Sequence, residues 1–105
     1  MKRIILSILC LAAYISLVAQ NISGQLVDEA QQPLPYVNVV LQTIDSVFVT
    51  GTTTGEKGEF KLQKIAAGDY RLVISCIGYQ PLYLSLQGFE RTADVGTLTL
   101  ADASQ

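Results

Sequence analysis

Histidine is missing from this 105-residue chain, and that single absence removes several chemistries at once. Without an imidazole there is no Ser-His-Asp or Cys-His relay to activate a nucleophile, and no histidine-ligated zinc or iron. Acidic side chains are thinly spread. Asp28-Glu29 and the pair Glu56 and Glu59 are the nearest clusters. Either pair could touch a calcium ion, but neither has the dense run of oxygen ligands that calcium requires, so they read as solvated turn carboxylates. A carboxylate pair for glycoside hydrolysis would need a cleft, which a small β-fold with only end loops does not offer. Gly55 and Gly58 in TGEKGEF lack the following helix and the lysine-serine pair of a phosphate cradle and read as turn glycines. The expectation is therefore no catalytic set, no metal and no cofactor.

Cysteine is scarce too. Cys10 falls in an apolar leader in which Lys2-Arg3 is followed by Ile4 to Val18 without a charge, ending in Leu17-Val18-Ala19 before polar Gln20-Asn21. This is the layout of a secretory signal peptide, residues 1–19, cleaved after Ala19. The run is shorter than the roughly 20 apolar residues that cross a bilayer, which makes a retained anchor the lesser alternative. Bulky Leu9 stands where a lipidation motif at Cys10 would need a small residue. Cys76 is then the only cysteine left, so no internal disulfide forms although an exported compartment would permit one. Its alternation with Leu72 and Ile74 places it as a buried, inert thiol.

Charge is low as well, at 15% of residues against 50% hydrophobic. Lys2 and Arg3 account for two of the seven basic residues and none of the nine acidic ones, so the chain from Gln20 onward carries five against nine, a net charge of −4. The remaining cations are scattered, which argues against a nucleic-acid partner.

What is present is alternation. Phe60 and Leu62 alternate with Glu59, Lys61 and Gln63, and Tyr70, Leu72, Ile74 and Cys76 alternate with Arg71, Val73 and Ser75, the period of half-buried strands. With Gly68-Asp69 between them, these two strands read as a hairpin inside Thr54 to Tyr79, and the rest of the chain is arranged around it. Further strands are expected at Asn21 to Asp28, Tyr36 to Ile44, Val47 to Thr54, Gln80 to Gln87 with Leu82, Leu84 and Leu86 inward, and Asp94 to Leu100. Pro81 marks an edge or a strand end, since it has no N–H to donate. Seven short strands and no helix predict an all-β fold, a small seven-stranded antiparallel Greek-key sandwich preceded by the signal-peptide helix.

The segments ISGQLVDEAQQPLPYVNVVLQ, TGTTTGEKGEFKL and IAAGDYRLVISCIGYQ resemble the carboxypeptidase regulatory-like domain, a sandwich of the transthyretin or prealbumin type. The resemblance implies a domain over residues 20–101, with 102–105 a tail or the start of a linker. It departs from the family pattern at Gly55, where an aspartate is usual, at Ala66-Ala67, where proline precedes the G-x-Y turn, and at Tyr36, where glycine follows P-L-P. Similar domains follow the signal peptide of TonB-dependent receptors and related outer-membrane β-barrel proteins of Gram-negative bacteria. The resemblance thus implies a non-catalytic periplasmic interaction or spacer module whose partner is another protein or a downstream plug and barrel of the same polypeptide. The alternative is a free-standing secreted module that binds carbohydrate or protein through its end loops. For that reading Tyr36, Tyr79 and Phe89 are the candidate contact residues, with Phe48 and Tyr83 as further aromatics, since aromatics on loops and outer faces stack on sugars or partners. Packing over the sandwich is the plainer role for each of them.

Overall fold

The computed structural model describes residues 20–103, and the expected signal peptide and its helix lie outside the described residues. Seven strands form in chain order: β1 (Gln20–Val27), β2 (Asn38–Thr43), β3 (Phe48–Thr53), β4 (Glu59–Ile65), β5 (Gly68–Ser75), β6 (Leu82–Phe89) and β7 (Ala93–Thr99). They make two sheets, one of three strands in the order β4-β1-β7 and one of four in the order β3-β2-β5-β6. Each strand begins within two residues of its alternating stretch, because period-two placement of apolar side chains lets one face of a pleated strand leave water. The inward rows are Ile22 and Leu26, Val37, Val39 and Leu41, Phe60, Leu62 and Ile65, and Tyr70, Leu72 and Ile74, and all are buried. Leu82, Leu84 and Leu86 pack on this core but stay half-buried, since β6 is an edge strand covered from one side only.

Two expectations are corrected. β4 and β5 do not form a hairpin: β4 pairs antiparallel with β1, matching Gly24 with Phe60, while β5 pairs with β2 and β6 in the other sheet. Alternation tells which face of a strand is apolar, and two strands facing each other across a core show the same alternation as two strands side by side. The link at Ala66-Ala67 therefore crosses between sheets, and the Tyr70 hydroxyl donates to the Ala66 carbonyl at 2.7 Å to pin that crossing. The fold is also not wholly antiparallel, because β1 and β7 run parallel, with Leu26 beside Leu98. Their separation in sequence allows the long connection that parallel neighbours require.

This pairing sets which loops share an end. The parallel β1 and β7 carry the chain in at one end of the sandwich and out at the other. At the exit end lie the β1-β2, β3-β4 and β5-β6 connections together with residues 100–103. Backbone bonds tie the last of these down, from Gln80 N to Ala101 O at 2.8 Å and from Ala103 N to Gly78 O at 3.0 Å. Asp102 N also donates to Glu29 Oε1 at 3.0 Å, so the chain past residue 101 is docked on two loops.

Candidate interaction surfaces

Thr54 organises the exit end. It is 2% exposed, and its hydroxyl donates to the Leu34 carbonyl at 2.6 Å while accepting from Val37 N at 2.9 Å. Its backbone continues the pairing, with Thr54 N bound to Val37 O and Tyr36 N bound to Thr54 O, both at 3.0 Å. One side chain thus holds the Pro33-Leu34-Pro35 segment in place and presents Tyr36 beyond it. Tyr36 is 72% exposed and has a φ of 60°, in the left-handed region where glycine is unstrained. Tyr79 shares this end, is half-buried against the core, and bridges to Asp102.

Phe89 is elsewhere. It sits at the opposite end, beside Gly68 in the β5-β6 register, and is 6% exposed with its ring edge-on to Tyr70 at 6.2 Å. Its place is in the core rather than on a contact surface, because the last residue of β6 turns inward over the crossing that Tyr70 pins. A shallow groove of about 410 Å³ runs past it along Leu86 to Ala93, remote from Tyr36 and Tyr79. The three candidate aromatics therefore do not form one patch. Cys76 is half-buried rather than fully buried, since β5 ends at Ser75 and Cys76 opens the turn that Tyr79 N closes onto its carbonyl.

The first acidic pair, Asp28 and Glu29, holds backbone. Asp28 Oδ1 accepts from Ala30 N and Gln32 N, both at 2.9 Å, which shapes the first turn. The Glu59 carboxylate folds against Gly55, in space that a Cβ there would claim. Among the described residues no three His, Cys, Asp or Glu side chains come together as a metal site would require. Gly58 has a φ of 78°, and a Cβ on it would lie 2.4 Å from the Leu26 carbonyl oxygen, so this position tolerates only glycine. The N–H groups of Gly55 and Gly58 bond within the turn, to Glu59 O and Gly55 O, and none is left to cradle a phosphate.

Alternation did not single out the apolar surface at the β2-β3 hairpin. Ile44, Val47, Phe48 and Val49 are 46%, 59%, 65% and 39% exposed, and Tyr83 on β6 is 60% exposed. The signal available for it was the absence of any charge from Ser46 to Gly55.

Solved structures share the architecture, and three of them illustrate it. BcpA, the major pilin subunit of Bacillus cereus, superposes with a TM-score of 0.63 at 17% identity, over 82% of this chain and 31% of that one. A cohesin-X-dockerin complex from Acetivibrio cellulolyticus gives 0.65 at 14% identity, over 79% and 58%. The 3-chlorocatechol 1,2-dioxygenase of Rhodococcus opacus 1CP gives 0.62 at 13%, over 81% and 60%. The chain spans less than two thirds of the length of each, and at such identity the likeness is one of fold, which does not carry function with it. Among curated proteins no significant match was found. A family model does match, over residues 22–104, from the first buried isoleucine of β1 to the docked segment after β7. Together with the seven strands in two sheets, that match places the chain in the family of CarboxypepD_reg-like domains.

Proposed function

We propose that this domain is a non-catalytic interaction and spacer module, exported to the periplasm and working beside the outer membrane, as part of or alongside a TonB-dependent receptor or related β-barrel protein. The observation that carries the reading is the parallel pairing of β1 with β7, which makes the chain enter at one end and leave at the other. An eight-residue β1 at about 3.3 Å per residue sets Gln20, the first residue after the expected cleavage, about 25 Å from the end where the chain leaves, so a surface at the entry end is held at that distance from whatever is joined at the exit. Family membership and the structural use of the acidic side chains support a module that acts through its surface. The test is genetic. Deleting residues 21–100 should leave the associated barrel folded in the outer membrane while uptake, signalling or assembly falls. Recovery of the chain in the cytosol with Met1 to Ala19 intact, or a deletion without effect on any outer-membrane protein, would refute the reading.

A second reading, carbohydrate or protein binding through the end loops, draws on Tyr36, an exposed aromatic held in a strained backbone conformation, with Tyr79 at the same end. It predicts saturable NMR shifts centred on these two residues when glycans are titrated into the free domain.

A further inference from the structure

The residue after the expected cleavage at Ala19 is a glutamine, and the fold holds its side chain in place. Gln20 Oε1 accepts from the Thr92 hydroxyl at 2.7 Å, and Thr92 Oγ1 in turn accepts from Asn21 N at 3.4 Å. Thr92 stands immediately before β7, so the turn entering that strand clasps the first two residues of β1. An N–H that donates into a hydroxyl strengthens that hydroxyl as a donor. The Gln20 amide carbonyl is thereby polarised, and its carbon Cδ is made more electrophilic. Both bonds lie where solvent reaches them.

The ladder does not need Gln20 to stay extended. Its register against β4 slips between Gln20 and Ile22, and the pairing of β1 with β7 starts only where Ile22 meets Ala93. Beyond that point the chain is committed to the core, since Ile22 is fully buried and β1 is the middle strand of its sheet. After cleavage, only Gln20 and Asn21 would separate the N-terminus from that core.

We propose that Gln20 is a modification site, at which the α-amine freed by cleavage after Ala19 closes onto its own side chain to form pyroglutamate. The neutral amine nitrogen attacks Cδ, an N–Cδ bond forms, the Cδ–Nε2 bond breaks, and ammonia leaves carrying the proton that the amine gives up. The reaction consumes no oxidant, reductant or co-substrate, and attack within one residue gains the advantage of proximity. Oε1 remains as the lactam carbonyl oxygen, so the bond from Thr92 survives ring closure. While Cδ is tetrahedral, the same hydroxyl faces the oxygen on which negative charge gathers. The product has lost its terminal charge and offers an aminopeptidase no amine, which seals β1 ahead of Ile22. The site rests on the export reading above, because Gln20 must become the first residue.

Two measurements test it. The chain from Gln20 to Gln105, released from a fusion partner by a protease that leaves no extra residue, should lose the mass of one ammonia on incubation at neutral pH, and faster when native than in strong urea. Thr92→Val should slow the native reaction by about tenfold, less than the loss of a donor in a buried oxyanion site because this bond is exposed. Thr92→Ser should restore the rate, and Gln20→Asn, whose shorter side chain would have to close a strained smaller ring, should lose nothing. Thermal melts report whether each variant folds, and the comparison of native with unfolded wild type stands even if Thr92→Val does not. The second measurement is the intact mass of the full chain after export by living cells, which should be that of residues 20–105 less one ammonia. A chain still carrying Met1 to Ala19 would sink the export reading and this site with it. A chain that begins at Gln20 with its full mass would leave the export reading standing and overturn the modification alone. Ring closure no faster in the native chain than in urea, or unchanged in a folded Thr92→Val variant, would overturn the part assigned to Thr92.

Discussion

Replacing Thr54 by valine changes one hydroxyl to a methyl with almost no change in shape, and the structure indicates a cost far larger than that exchange suggests. The hydroxyl makes two bonds, 2.6 Å to Leu34 O and 2.9 Å from Val37 N, in a site where Thr54 is 2% and Val37 0% exposed. Water cannot reach the orphaned Val37 N–H, and a buried polar group left without a partner costs about 1–3 kcal/mol. The Leu34 carbonyl, only half-buried, recovers part of its loss from solvent. With a small credit for the added methyl, Thr54→Val should destabilise the domain by about 2–3 kcal/mol. Thr54→Ser keeps both bonds and should lose only about 1 kcal/mol for the missing methyl. Thr53→Val, on the exposed neighbour, should stay within about 0.5 kcal/mol of wild type. Urea melts of the three variants at unchanged m-value provide the comparison. A Thr54→Val domain as stable as Thr53→Val would mean that this hydroxyl does not hold the loop before β2, and the account of how Tyr36 is presented would fail with it.

Other expectations follow from single contacts. Phe60 fills the notch left by Gly24, with its ring atoms 2.8 and 2.9 Å from where a Cβ on Gly24 would stand and Val95 at 2.7 Å. Phe60→Ala should therefore cost about 3–5 kcal/mol, Gly24→Ala should itself destabilise by about 1–3 kcal/mol through overpacking, and melts of the double variant should show the two effects to be less than additive. Tyr36→Gly should leave the domain as stable or up to about 1 kcal/mol more stable, since relief of a left-handed backbone outweighs the entropy glycine adds to the unfolded chain. A clear loss of stability in that variant would show the Tyr36 ring to be a packing residue and remove it as a candidate contact.

The sequence by itself determined where the strands are and which side of each meets the core. Val37, Val39 and Leu41, or Tyr70, Leu72 and Ile74, declare an apolar face through a period of two that needs no knowledge of the rest of the chain. It also marked turn glycines, of which Gly58 takes the left-handed φ that glycine adopts without strain. Tertiary structure alone decided who pairs with whom. Backbone donors and acceptors are the same on every strand, so nothing in Phe60 or Leu62 distinguishes β1 from β5 as the neighbour of β4. Loop length, strand twist and the filling of a shared core choose between them. The same lack of local information hid the parallel neighbours β1 and β7, some seventy positions apart in register from Ile22 to Ala93. Phe89 shows the limit most plainly. As a lone aromatic after a glycine it reads as surface, and only the crossing pinned by Tyr70 turns its ring inward. Thr54 read as the end of a polar strand, and became a buried anchor only because the segment around Leu34 folds back over it.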